Sequence, residues 1–176
     1  EFSNKSKENS LKVKKGGNSF VWNMKYPGAK RLANMVLWGA DFSGAKAIPG
    51  DYIVKLKVND TEMTQEFTIH KDPTSEGSID DIKAQFDFVN EINGVVDRAH
   101  KAIENIRNMK KDLKKFQSDY ADNDSAKDLI EESKSIVESI DKIENELYQT
   151  KNQSNQDLLN YGVKLTNNLG NLNSAF

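Results

Sequence analysis

Hydrophobic residues in this chain follow two rhythms, and the change falls near residue 73. In "DYIVKLKV", Tyr52, Val54, Leu56 and Val58 fall on one side of an extended chain, with Lys55 and Lys57 on the other. Asn59-Asp60 then supplies a two-residue turn whose members tolerate positive φ. The return run puts Met63, Gln65, Phe67 and Ile69 on one face. This predicts a β-hairpin with a buried face. Upstream, "NSFVWNM" alternates Phe20 and Trp22 with Val21 and Asn23, and "MVLW" (35–38) reads as a short buried strand. Pro49-Gly50 suits a type II turn into the hairpin. Four or five strands form one small sheet, which needs a second layer, so residues 1–73 are expected to be an Ig-like antiparallel β-sandwich.

"HKDPTSEGS" (70–78) closes that region, and no proline follows it. Ser78-Ile-Asp-Asp81 reads as a capping box, with two acids at the positive helix end. Ile79, Ile82, Phe86, Val89, Val96, Ile103, Ile106, Leu113 and Phe116 recur at helical spacing, predicting a helix over about 78–117. Such a helix is roughly 60 Å long. Gly94 costs about 1 kcal/mol within it, but the stripe resumes in register beyond, which predicts continuity. "SDYADNDS" (118–125) reads as a loop with Ser125 as the next cap. Further stripes predict helices over about 125–149 and 156–172. Short connections make sequential helices antiparallel neighbours, so 78–176 is expected to be an antiparallel three-helix bundle. The fold class is then α+β with segregated domains.

Between the last two stripes stands "ELYQTKNQSNQDLLNYGVKL", with Tyr148, Asn152, Ser154, Asn155 and Asp157 at the junction. A tight corner must satisfy the last carbonyls of one helix and the first N–H groups of the next. Asn152, Ser154, Asn155 and Asp157 suit such caps, and Tyr148 closes the bundle end beneath them.

Composition narrows the functional classes. The chain has 176 residues, 36% hydrophobic and 30% charged, with a formal net charge of -2 and no cysteine. Acids and bases are interspersed, so no basic field selects nucleic acid. Thiolate catalysis, disulfides and cysteine-bound zinc are excluded. No apolar run approaches the roughly 20 residues of a membrane span. The charged, Ser/Asn-rich residues 1–10 are expected to be mobile. Glycosylation sequons at Asn4, Asn59, Asn123 and Asn152 fit chance in an Asn-rich chain.

Candidate chemistry is sparse. His70 ends a strand, and His100 lies on the long helix at a stripe position, where it and Asn93 resemble the polar residues that set register in bundles. "DNDSAKD" (122–128) lacks the glycine and glutamate of a calcium loop. No phosphate loop, HExxH or nucleophile triad is present, so neither catalysis nor a cofactor is expected. Trp22, Tyr26 and Trp38 make a candidate sugar-stacking or partner surface, against core packing as the plainer reading.

"GGNSFVWNMKYPGA", "VLWG", "AIPGDYIVKLKV" and "ELYQTKNQSNQDLLNYGVKL" together resemble the C-terminal region of bacterial secreted β-propeller proteins. Those are the BNR-repeat (Asp-box) glycosyl hydrolases and sortilin-like proteins, frequent in Bacteroidetes. The first three segments also resemble the Ig-like module of the flagellar hook-assembly protein. The resemblance implies an extracytoplasmic protein whose propeller lies upstream, with a further strand before "EFSNKSKE" and a further helix after "LNSAF". It implies a non-catalytic accessory region, a spacer or protein-interaction module, with any hydrolase activity belonging to the propeller. The alternative is a carbohydrate-binding module using Trp22, Tyr26 and Trp38. Expected partners are the propeller, a protein or glycan at the cell surface, and a second copy through an exposed strand edge or helix groove.

Overall fold

The computed structural model describes residues 2–3 and 10–176. The sequon at Asn4 and most of the segment 1–10 lie outside the described residues. A single antiparallel hairpin, β1 (Gly50–Val58) and β2 (Thr61–Ile69), pairs Tyr52 with Phe67 and Leu56 with Met63. Its turn places Asn59 at φ +54, a left-handed conformation that asparagine accepts more readily than most residues.

No second sheet lies over this hairpin among the described residues, and the β-sandwich expectation is corrected. Val54, Leu56 and Met63, the intended core face, are about half exposed. The other predicted strands fail for local reasons. Met24 at φ +57 breaks the extension of "NSFVWNM", leaving only an isolated Lys25–Lys46 bridge. In "MVLW" the backbone polar groups are taken by helix side chains. Val36 N–H donates to the Tyr148 hydroxyl at 2.8 Å. Trp38 N–H donates to Asn167 Oδ1 at 2.8 Å, and Asn167 Nδ2 donates back to Trp38 O at 3.0 Å. Groups satisfied in this way, the Val36 and Trp38 N–H and the Trp38 carbonyl, do not enter a ladder.

The helices are α1 (Ile79–Asp119), α2 (Lys127–Leu147), α3 (Leu158–Tyr161) and α4 (Leu165–Asn173). The Ser78/Asp81 capping box forms, and α1 passes Gly94 unbroken. At α2 the cap differs from expectation. Asn123 accepts from Ser125 N–H, and the single 3-10 turn Asp124–Ala126 leads in. The three-helix bundle is also corrected. Gly162 at φ +68 ends α3 after one turn, and Lys164 is extended before α4. The leucine spacing continues across this break although α4 buries Thr166, Asn167, Gly170 and Asn173 and leaves Leu165 and Leu172 exposed, so the apolar pattern conceals the glycine stop.

The core lies where residues 24–47 strap across the helices. Phe42, Ile92 and Val96 form its centre, with Ala29, Leu37, Ala40 and Leu169 packed around them. Gly170 and Gly28 are among the close approaches that fit only glycine. A Cβ on Gly170 would stand 2.5 Å from Ala40 Cβ, and one on Gly28 would stand 1.8 Å from Phe42 O. Beyond Ile106 no third layer covers the α1–α2 hairpin among the described residues, and Met109, Tyr120, Leu129, Ile136 and Ile143 are exposed.

Candidate functional site

Polar residues interrupt the buried face of α1 at regular intervals. Asn93, His100 and Arg107 stand seven residues apart, so they line one edge of the helix. Asn93 and His100 grip the 24–47 strap, and Arg107 grips α2. Asn93 Oδ1 accepts from Ala29 N–H at 3.3 Å, and its Nδ2 donates to Ser43 O at 3.0 Å. One turn on, Asp97 accepts from Lys30 N–H at 2.8 Å. His100 Nδ1 lies 2.6 Å from Lys30 O. Because a carbonyl only accepts, Nδ1 must carry the proton. Nε2 is then a bare acceptor, buried and without a partner. The ring is 2% exposed and packs edge-on against Phe42, with centroids 5.4 Å apart. Burial pushes the imidazole pKa down, with help from Arg107 and Arg31, against the opposing pull of the Lys30 carbonyl and Asp97.

Arg107 turns the edge toward α2. Its Nε donates to Glu144 Oε1 at 2.8 Å, and its guanidinium sits 5.5 Å from the centroid of the Tyr148 ring. Lys110 donates to Glu144 Oε2 at 2.8 Å and to Asp141 at 2.5 Å. Burial alone would lower the Lys110 pKa, but its bonds to Asp141 and Glu144 outweigh that and raise it. Glu144 is a carboxylate 2% exposed that is held by two cations, the arrangement a buried charge requires. Arg107/Lys110 and Asp141/Glu144 sit at i,i+3 on successive helices with opposite signs. That match was the available sequence signal, hidden among 30% charged residues.

The corner residues occupy the far end of this cluster. Tyr148 is 4% exposed and ties α2 to the strap through Val36. Ser154 and Asp157 form a capping box in which Asp157 accepts from Gln153 and Ser154 N–H at 2.7 and 2.9 Å. Asn155 is exposed in the following turn. Asn152 is buried with neither amide atom bonded, so the folded chain offers no side chain there for a glycan. The missed contributors are Gln149, which donates to Tyr161 O at 2.8 Å, and Thr166, whose hydroxyl donates to the α2 carbonyl of Leu147 at 3.0 Å.

Of the three candidate aromatic residues, Trp22 and Tyr26 both meet Tyr52, and Trp38 is held elsewhere. Trp22 packs on Tyr52 of β1, Tyr26 packs edge-on against Phe86 of α1, and Trp38 is anchored by its backbone to Asn167 of α4. Among the described residues no group of three or more His, Cys, Asp or Glu is placed to hold a metal ion, and no helix is long and apolar enough to cross a membrane.

The family model HisKA_2, described as histidine kinase, matches residues 104–173, under half of the chain. No curated protein and no solved structure matches. The matched segment holds the last 16 of the 41 residues of α1 (104–119), then α2, the corner, α3 and α4. That match is to a histidine-kinase family, and it overturns the resemblance to a BNR-repeat or sortilin-like propeller C-terminus. The roles drawn from that resemblance, propeller accessory region and carbohydrate-binding module, are corrected with it. The match contains no histidine, since the two in the chain are His70 and His100.

Proposed function

We propose that this chain is a helical signalling module of the histidine-kinase type. It passes a change at the 24–47 strap to the α1–α2 hairpin and performs no phosphoryl transfer itself. One observation carries the reading: a single edge of α1 anchors the strap through Asn93, Asp97 and His100, and α2 through Arg107 and Lys110. Tyr148 closes the loop by bonding the strap from the end of α2. Displacing the strap therefore removes partners from both helices at once, which is what coupling through a two-state element needs. The family match over the hairpin half supports the signalling class. A phosphoacceptor imidazole must expose a ring nitrogen to the incoming phosphoryl group. The Nε2 of His100 is enclosed, which favours relay over transfer.

Amide hydrogen exchange tests the relay. Tyr148→Phe removes one hydroxyl and little volume. The reading expects faster exchange along α2 out to Leu129, beyond any residue that touches Tyr148. Acceleration confined to residues 35–38 would refute it. Incubation with labelled Mg-ATP is expected to leave the chain unlabelled, and label on His100 would refute the division between relay and transfer.

A further inference from the structure

The β-hairpin is separate from the relay edge, and its role is independent of the signalling reading. Every residue from Ile53 to Thr68 is exposed, so neither face of the hairpin is covered among the described residues. A two-stranded hairpin alone in water is marginally stable at best, and packing over its apolar face is what makes such a unit stable.

The register fixes what each face carries. One face holds Val54, Leu56 and Val58 of β1 opposite Gln65, Met63 and Thr61 of β2, with Tyr52 and Phe67 at the base. No charged residue falls on it. The other face carries the charges, and Lys55 there meets Glu62 at 3.4 Å while Thr68 Oγ1 donates to Asp51 Oδ1 at 2.6 Å. Lys57 and Glu66 share that charged face.

Three observations bear on what covers the uncharged face. It offers no charge by which an unlike chain would be selected, whereas interfaces between copies are the more apolar class. Joining copies edge to edge about a two-fold axis would set the β1 lysines, or the β2 glutamates, against themselves. Val54, Leu56, Val58 and Met63 are 51–54% exposed. With Thr61 and Gln65, two such faces bury roughly 1,000 Å² in total, the threshold of a specific interface.

We propose that the uncharged hairpin face is the contact between two copies of this chain, packed face to face as a four-stranded sandwich. Both ends of each hairpin join the rest of the chain at the Gly50–Ile69 base, so the two hairpins run in opposite directions and keep their helices apart. Trp22 already packs on Tyr52 at the base, with ring centroids 6.0 Å apart. The open rows are therefore 54/65, 56/63 and 58/61. A two-fold axis across the middle row lays β1 over β1 and β2 over β2. Leu56 and Met63 then meet their own counterparts, Val54 meets Val58, and Gln65 meets Thr61. Apolar falls on apolar and polar on polar, and each contact outside the axis occurs twice, as an isologous interface requires.

Sedimentation velocity on the full chain reads the association, and a reversible dimer is expected. The chain has no cysteine, so single thiols report position. Leu56→Cys should cross-link to a dimer with a bismaleimide spanning about 10 Å, the spacing of packed sheets. Ile53→Cys, 61% exposed on the charged face, should not. Leu56→Glu and Met63→Lys replace half-exposed side chains, so the fold is kept, and each should weaken the dimer at least about tenfold. Ile136→Lys on α2 should leave it unchanged. A chain that stays monomeric up to about 1 mM would overturn the proposal. So would equal cross-linking of Ile53→Cys, or a dimer lost with Ile136→Lys and kept in Leu56→Glu and Met63→Lys.

Discussion

Glu144→Gln removes a charge while keeping the shape of the side chain. Glu144 is 2% exposed and accepts from Arg107 Nε and Lys110 Nζ, both at 2.8 Å. A hydrogen bond to a charged group nets about 1.5–3 kcal/mol. Two such bonds set the upper limit, and two features of the site reduce it. The Arg107 side chain is 37% exposed, so water can re-solvate it. Lys110 is 21% exposed but keeps Asp141 as a partner. The amide oxygen of glutamine also retains one acceptor. The expected loss is therefore about 2–3 kcal/mol, below the roughly 3–5 kcal/mol of a fully buried pair that is broken. For a chain of this size that corresponds to a melting temperature lower by roughly 5–10 °C. Urea unfolding followed by far-ultraviolet circular dichroism near neutral pH measures it, with a thermal melt as the second readout. A loss under about 0.5 kcal/mol, the scale of an exposed pair, would refute the claim that this charge cluster ties α1 to α2.

Other consequences follow from burial and close contact. Gly170→Ala sets a Cβ 2.5 Å from Ala40 Cβ and 2.7 Å from the Phe42 ring. Overpacking should cost about 1–3 kcal/mol in urea unfolding despite the gain in helix propensity, and a neutral or stabilising result would show that the strap is not seated on α4. His100 gives a pH signature. Its folded pKa lies below its unfolded value, so on acidification the unfolded state takes the proton first. Stability is full above the ordinary histidine pKa of about 6.5 and falls below it by up to about 1.4 kcal/mol per pH unit. His100→Gln should remove that slope, and an unchanged slope would place the titration elsewhere.

Elements written in local signals were readable from the sequence. The hairpin register follows from alternation around Asn59-Asp60, and the α1 start follows from the Ser78/Asp81 box. Asn93 and His100 could be placed on the seam because their helical spacing interrupts an apolar stripe. The sandwich was misread because "NSFVWNM" and "MVLW" alternate as strands do, yet their backbone partners lie more than a hundred residues away for Val36 and Trp38. A continuous third helix is not formed: the leucine spacing outlasts the break at Gly162, but the face that α4 buries carries Thr166, Asn167, Gly170 and Asn173 instead. At the site, the opposite charges at i,i+3 on α1 and α2 do not differ in sequence from the chain's many solvated charges, and only packing puts Glu144 out of water.

The sequence by itself determined periods, caps and turns, because these depend on the backbone dihedrals and side chains of near neighbours. It also determined that thiol chemistry is absent, since there is no cysteine. Tertiary structure decided whatever depends on which distant groups share a dry volume. It set a strap of residues 24–47 against α1 and α4 in place of a second sheet. It converted Glu144, His100 and Asn173 from interchangeable polar residues into a clasp, a neutral imidazole and an unpartnered acceptor. Desolvation is the physical reason. The cost of a polar group rises steeply once water is excluded, and exclusion is a property of the assembled fold rather than of any stretch of chain.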